Sequence, residues 1–286
     1  MYVFAHILRY VYVYLYVYKN IHIYIDIPEY VVYFFLMKTI AIVCQKGGVG
    51  KSTTALNLGA GLSRESKRIL FIDLDAQGNL TETLGGRSCE PTAFEVMMES
   101  APMTESIQNV SLGDVIASGA SLSGADMAIV GQGKEYRLKN ALDTVKGRYD
   151  YAVIDTPPAL GILTINALTA AEEAIIPVQA DIYGLRAIGQ LSMTINAVRE
   201  HCNPGLSIAG ILVTRYNTRS ILNRDMVELI DQTARALGTK AFTSTIREAV
   251  AIKESQACQS DIFGYAPKSG VAKDYQAFIH EYIING

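Results

Sequence analysis

Cysteine is scarce in this chain and poorly spaced for metal. Cys44, Cys89, Cys202 and Cys258 form no CxxC pair, so neither a zinc site nor an iron–sulfur cluster is indicated. They make no framework of the kind found in secreted proteins, and we read them as reduced thiols of a cytosolic protein. Excess positive charge is missing too: 25 Lys and Arg stand against 28 Asp and Glu, a formal net charge of -3. The field of the whole molecule therefore does not favour nucleic acid, and DNA binding would need a local basic patch assembled with a partner subunit. No internal repeat and no flexible linker divides the chain. What remains is 50% hydrophobic and 19% charged, a globular balance, in 286 residues that suit one α/β domain with a buried core.

The first 36 residues differ from the rest. They hold nine of the seventeen tyrosines, and Tyr10 to Tyr18 alternates tyrosine with valine or leucine. A membrane-spanning helix needs about 20 uncharged apolar residues, whereas Arg9, Lys19, Asp26 and Glu29 cut this stretch into shorter pieces. The basic start, apolar run and small-residue cleavage site of a secretory signal are missing. A period-2 edge strand is physically possible, but it would be long and aggregation-prone. A fourth reading is genetic: Tyr, Val, Ile and His are all encoded by alternating pyrimidine–purine codons, so Tyr10–Tyr18 and Ile21–Ile25 are what a translated TA/TG/CA repeat would give. On that reading the native start is Met37, and 1–36 is a leader outside the native fold. Mass spectrometry of the native N-terminus tests it; a peptide from Tyr10–Ile25 would refute it.

From Met37 onward, apolar strands alternate with helices. Strands are expected at Thr39–Cys44, Arg68–Leu74, Tyr149–Ile154, Glu173–Pro177 and Leu206–Val213. Helices are expected from Ser52 to Leu62, at Glu135–Lys146 within a polar middle section (80–148), and at Val271–Ile284. This alternation predicts one α/β domain over 37–286, with a mostly parallel, twisted sheet covered by helices on both faces.

Three segments carry chemistry. Lys46-Gly47-Gly48-Val49-Gly50-Lys51-Ser52-Thr53 matches G-x-x-x-x-G-K-[S/T] between a strand and a helix. The glycines let successive N–H groups point at phosphate oxygens, and the helix adds its positive N-terminal end. Lys51 is expected to reach the β- and γ-phosphates and Ser52 to bind Mg2+. Asp73-Leu74-Asp75-Ala76-Gln77-Gly78-Asn79 offers two carboxylates at a strand end, where ligand sites form in open α/β sheets. Tyr151–Ile154 is an apolar run ending in Asp155, which is expected to hold Mg2+ through water.

KGGVGKST, DLDAQGN and IDTPP, in this order, resemble the ParA/MinD family of deviant Walker-A ATPases, the ParA branch in particular, over essentially Met37 to the C-terminus. The resemblance implies a P-loop NTPase fold with ATP sandwiched between two subunits. It implies that Lys46 reaches across to the partner's phosphates, Lys51 cradles the phosphates, Asp75 positions the attacking water and joins the metal site, and Asp155 supports the metal. Ile211–Tyr216 with Asn217-Thr218-Arg219 is similar to the strand and loop bordering the adenine, so Asn217 joins the expected nucleotide ligands. Ala266-Pro267-Lys268-Ser269 and Ala272-Lys273-Asp274-Tyr275 resemble the family's C-terminal signature. The chain departs from the family at Ile246-Arg247-Glu248, where many relatives carry Ile-Pro-Arg.

Within that family the tail separates the branches. MinD relatives end in a basic amphipathic helix that lies on the membrane, whereas nothing after Lys273 here is basic, so no stable membrane anchor is expected. Iron-protein relatives need interface cysteines that are lacking here. Tyrosine kinases of related fold cluster their tyrosines at the other end, and long plasmid ParA proteins carry a larger N-terminal operator-binding region. The resemblance that remains is to a small Soj-like ParA. It implies a cytoplasmic, nucleoid-associated ATPase that dimerises on ATP, binds DNA non-specifically and partitions a chromosome or plasmid with a ParB-like partner. Candidate DNA contacts are Arg186, Arg219, Arg224, Arg247, Lys253 and Lys273. A second reading, a ParA-like ATPase that positions a non-DNA cargo such as a protein cluster or conjugation machinery, shares the same cycle. Nothing in the sequence names the cargo.

Overall fold

The computed structural model describes residues 37–217 and 220–285. The tyrosine-rich stretch 1–36, with the reading attached to it, lies outside them, as do Thr218 and the DNA candidate Arg219. Seven strands form one sheet: β1 (Lys38–Ile42), β2 (Ile69–Asp73), β3 (Ile107–Val110), β4 (Gly113–Ile116), β5 (Tyr151–Asp155), β6 (Glu173–Gln179) and β7 (Ser207–Thr214). Their spatial order is β3-β4-β2-β5-β1-β6-β7. Every neighbouring pair is parallel except β3 with β4. The main helices are α1 (Lys51–Arg64), α2 (Ile162–Ala170), α3 (Ile182–His201), α4 (Ile221–Ala236), α5 (Val250–Ala257) and α6 (Gly270–Asn285). Among the described residues no helix is long and apolar enough to cross a membrane.

The central strands β1, β2, β5 and β6 are buried on both faces because they are apolar along most of their length, as parallel crossovers demand. Successive side chains point to opposite faces. Ile40 and Ile42 thus join Phe71, Val153 and Leu212 under α1 and α6, while Ala41 and Val43 join Ile72, Ile154 and Ile176 under α2 and α3. Leu56, Leu58 and Leu62 of α1 meet Tyr275, Phe278 and Ile279 of α6 on the first face. Gly61 permits that approach, since a Cβ there would run into Ile279, and Gly59 lets α1 lie on the sheet, where a Cβ would run into the Phe71 ring of β2.

All five expected strands are present with ends shifted by a few residues, and one shift matters. Asp155 is the last residue of β5 rather than the first beyond it, and it pairs in register with Asp73 of β2 and Ile42 of β1. The middle section departs from expectation, because it contains the β3–β4 hairpin as well as helical turns. These strands are four residues each, and β3 (Ile-Gln-Asn-Val) is a half-exposed edge without an apolar alternation. Glu135–Lys146 is likewise not one helix. A 3-10 turn at Lys134–Tyr136 leads into an α-helix at Arg137–Asp143, and Leu138 gives its N–H to the Asn166 side chain.

Candidate active site

The glycine loop joins β1 to α1 at the carboxyl edge of the sheet, where open α/β folds bind ligands. Gly48 and Gly50 have φ of +73° and +87°, a region that residues with a Cβ rarely enter. Gly50 caps α1, and its carbonyl accepts the Thr54 N–H at 2.8 Å. A Cβ on Gly47 or Gly48 would meet no protein atom within 4 Å, so the loop's outer side is open. It opens on a cavity of about 570 Å3 lined by Gly47, Gly48, Gly50, Lys51, Ser52, Thr53, Asp75 and Arg215, among others. Val49 points instead into the core and borders a second cavity of about 80 Å3, with Thr214, Ile246, Arg247, Ile252 and Lys253.

Two buried carboxylates, Asp73 and Asp155, lie behind the cavity lining at the ends of β2 and β5 and make the floor of the site. Asp155 is fully buried, and no hydrogen bond of ordinary geometry reaches either of its oxygens. Burial and the neighbouring Asp73 charge push its carboxyl well above the usual range, against the pull of the Ser52 hydroxyl and the Lys51 ammonium. Asp73 is also buried, and its pKa is raised to about 6 by burial despite three hydrogen bonds. Thr81 gives it an N–H at 2.8 Å and a hydroxyl at 2.7 Å, and Asp75 gives it an N–H at 3.1 Å. Thr81 Oγ1 in turn accepts the Ser118 N–H at 2.9 Å, and Ser118 Oγ donates to the Asp75 carbonyl. Asp73 therefore holds the turn that carries Asp75, while Asp75 itself is half-buried on the cavity wall and accepts the Gln77 N–H at 3.0 Å. A sealed carboxylate with so little hydrogen bonding is costly unless a cation meets it. Asp155, below Ser52 and Lys51, thus has the chemistry of a metal-site floor.

The two lysines of the loop are treated differently. Lys51 is 7% exposed, and its ammonium donates to the Lys46 carbonyl at 3.4 Å. Lys46 does not line the cavity. Its Nζ donates to Gln179 Oε1 at 2.9 Å and to Asp181 Oδ2 at 2.6 Å, and it lies 5.8 Å from the centre of the Tyr183 ring. Asp181 also caps α3 by accepting the Gly184 N–H at 2.7 Å. Burial works to raise the Asp181 pKa, but Lys46 and the Gly184 N–H outweigh it and hold the group below the usual carboxylate range.

The remaining expected residues scatter. Asn217 follows β7, exposed, and lines neither cavity. Arg247 and Lys253 line the second cavity, and Arg247 is clamped by Asp274 at 2.6 and 2.8 Å. Arg186 and Arg224 are exposed on α3 and α4, and Lys273 is exposed in the first turn of α6. Sequence reasoning gave no role to Gln179, Asp181 or Gln256, nor to Thr214 and Arg215 individually, although both lie in the Ile211–Tyr216 segment it placed beside the base. An Asp before a helix is a visible cap signal, so Asp181 could have been noticed. Its contact with a lysine 135 residues away could not.

A family model described as AAA domain matches residues 37–208. The sporulation initiation inhibitor protein Soj of Bacillus subtilis is 38% identical over 254 residues, covering 87% of this chain and 99% of Soj. The chromosome partitioning protein ParA of Caulobacter vibrioides is 37% identical over 256 residues, covering 86% and 94%. Among solved structures, cobyrinic acid a,c-diamide synthase from Mycobacterium smegmatis, with bound ATP analogue and magnesium, matches with a TM-score of 0.75 and 31% identity, covering 86% of this chain and 93% of that one.

Proposed function

The chain belongs to the ParA/Soj family of AAA-domain ATPases, and we propose that it is a Mg2+-dependent ATP hydrolase that dimerises on ATP, binds DNA non-specifically and drives chromosome or plasmid partition with a ParB-like partner. The observation that carries the reading is the 570 Å3 cavity between the glycine loop and Asp75, with the buried Asp155 beside Ser52 and Lys51 of its wall.

In this reading the phosphates of ATP lie along Gly47–Thr53, against the loop N–H groups and the N-terminal end of α1. Lys51, already buried at the cavity wall, offsets their charge. Ser52, Asp155 and Asp75 are the groups that would hold Mg2+. When bound, the ion supplies charge neutralisation as phosphoryl transfer proceeds. Asp75, on a turn fixed by Asp73 and Ser118, orients the attacking water. Lys46 leaves Gln179 and Asp181 on dimerisation and meets the partner subunit's phosphates, so that turnover needs two subunits. Asn217 borders the base, and the exposed cations of α3, α4 and α6 supply DNA contacts once two copies combine them. Residues 37–286 constitute the ATPase unit of a cytoplasmic, nucleoid-associated protein.

Binding to unrelated DNA fragments, measured with ATP, with ADP and without nucleotide over a salt series, tests the cycle. The expected result is binding that needs ATP and weakens steeply with salt. Binding that ignores nucleotide, or no binding at low salt, would overturn the DNA role. Co-purification with the Asp75→Ala protein reports the cargo: DNA with a ParB-like protein supports partition, and a protein adaptor without DNA refutes it.

A further inference from the structure

Gly50, Thr53, Arg215 and Gln256 line both cavities. A ligand extending from the glycine loop toward Val49, Ile246 and Ile252 passes between them, and Arg215 is the one cation of the four. Its φ of +50° lies in the left-handed region, which a residue with a Cβ keeps only where its surroundings impose it. Both flanks impose it here. The Thr214 hydroxyl donates to the Val49 carbonyl at 2.8 Å and the Val178 carbonyl at 3.1 Å, tying that side to the glycine loop. The Tyr216 N–H donates to the Ile246 carbonyl at 2.9 Å, tying the other side to the wall of the second cavity.

The guanidinium is uncommitted among the described residues. Arg247, in the same second cavity, is held bidentately by Asp274, and Lys51 has the Lys46 carbonyl. Arg215 is exposed and makes no ion pair or side-chain hydrogen bond within the described residues; Glu248, the acid of the second cavity, does not bridge to it. A free planar fork on the wall shared by two cavities suits a phosphate oxygen pair.

We propose that Arg215 is a phosphate ligand of the nucleotide bound in its own subunit, gripping the phosphate nearest the sugar. This rests on the reading of the larger cavity as the nucleotide site, and it gives a role to a residue of the Ile211–Tyr216 segment that the sequence alone left without one.

Calorimetric titration of the intact protein with ADP tests it without relying on turnover. Arg215→Gln, which keeps length but not charge, should weaken ADP binding about tenfold or more, as expected for loss of a charged hydrogen bond. Arg215→Lys should recover part of that loss, since it restores charge without the fork. The salt dependence of ADP binding should be shallower in Arg215→Gln than in wild type. Equal ADP affinity in wild type and Arg215→Gln would overturn the proposal, as would equal losses in the Gln and Lys variants. A loss confined to ATP turnover, with ADP affinity unchanged, would move Arg215 out of its own subunit's site and also overturn it. Thermal midpoints without nucleotide separate misfolding from lost binding. If wild type itself binds no ADP, the nucleotide reading falls first, before any variant is compared.

Discussion

The floor and the rim of the site use the same kinds of charge under opposite physical conditions. On the floor, Asp73 and Asp155 sit side by side on adjacent parallel strands, sealed from water, with Lys51 almost buried above them. On the rim, Lys46 pairs with Asp181 and Arg247 with Asp274 where water still reaches the ions. Burial makes the floor energetically tense: each charge there lacks solvent, and two carboxylates repel. Exposure makes the rim exchangeable, because a half-solvated ion pair contributes little and can be traded for another partner. The floor is therefore suited to holding a cation, and the rim to changing partners.

The comparison breaks first if Lys51 is dispensable. Lys51→Ala should lower ATP turnover by about 100-fold or more, the scale for removing a preorganised charge from a polar site; turnover within a few fold of wild type would refute the assignment of the loop. Steady-state phosphate release with saturating ATP measures it.

The tension of the floor is tested next through Asp155→Asn. In the absence of nucleotide and Mg2+, the variant should be more stable than wild type near pH 7.5, by roughly 1–3 kcal/mol, because a repelled and desolvated charge has been removed. The sign with pH follows from the raised pKa values. For an acid whose folded pKa exceeds its unfolded one, the folded state binds the extra proton, so stability is lost as pH rises through the window between them. For Asp155 that window runs upward from the ordinary carboxylate value. The advantage of the variant should therefore shrink as pH falls from 7.5 toward 5, followed by thermal or urea unfolding at each pH. An advantage that is constant across this range would show that the floor is not under charge strain. The same variant should lose its Mg2+-dependent gain in nucleotide affinity.

The rim is sharpened by Asp181→Asn, which keeps the α3 cap because Asn caps helices about as well as Asp. Freed of its counter-ion, Lys46 should make ATP-dependent dimerisation severalfold more favourable, read by sedimentation or light scattering, while unfolding free energy changes by less than about 1 kcal/mol. A weaker dimer would mean that Asp181 supports the dimer rather than restraining Lys46. The smallest effect is expected for Asp274→Asn: a loss of under about 1 kcal/mol in urea unfolding, since its arginine partner is largely in water.

Much of this was legible in the sequence because the signals are local. Short β-branched runs, the glycine spacing and the carboxylates at strand ends named five strands, α1 and the phosphate loop without knowledge of any neighbour. The β3–β4 hairpin was not legible: its polar four-residue strands gain order from lying against β2, which no local pattern reports. The fragmentation of Glu135–Lys146 has the same origin, since a distant Asn166 takes a hydrogen bond that the helix would otherwise use.

The sequence by itself determined which groups reach the edge of the sheet: Lys46, Lys51, Ser52, Asp73, Asp75 and Asp155 all follow from chain order and strand ends. Tertiary structure decided what each of them faces. Register between β2 and β5 made Asp73 and Asp155 neighbours, the position of β6 beside β1 brought Asp181 to Lys46, and the end of β7 set Arg215 between two cavities. The physical reason is range. Backbone conformation and apolar periodicity are written within a few residues, whereas a charge's partner and its dielectric surroundings come from segments tens of residues to more than a hundred away.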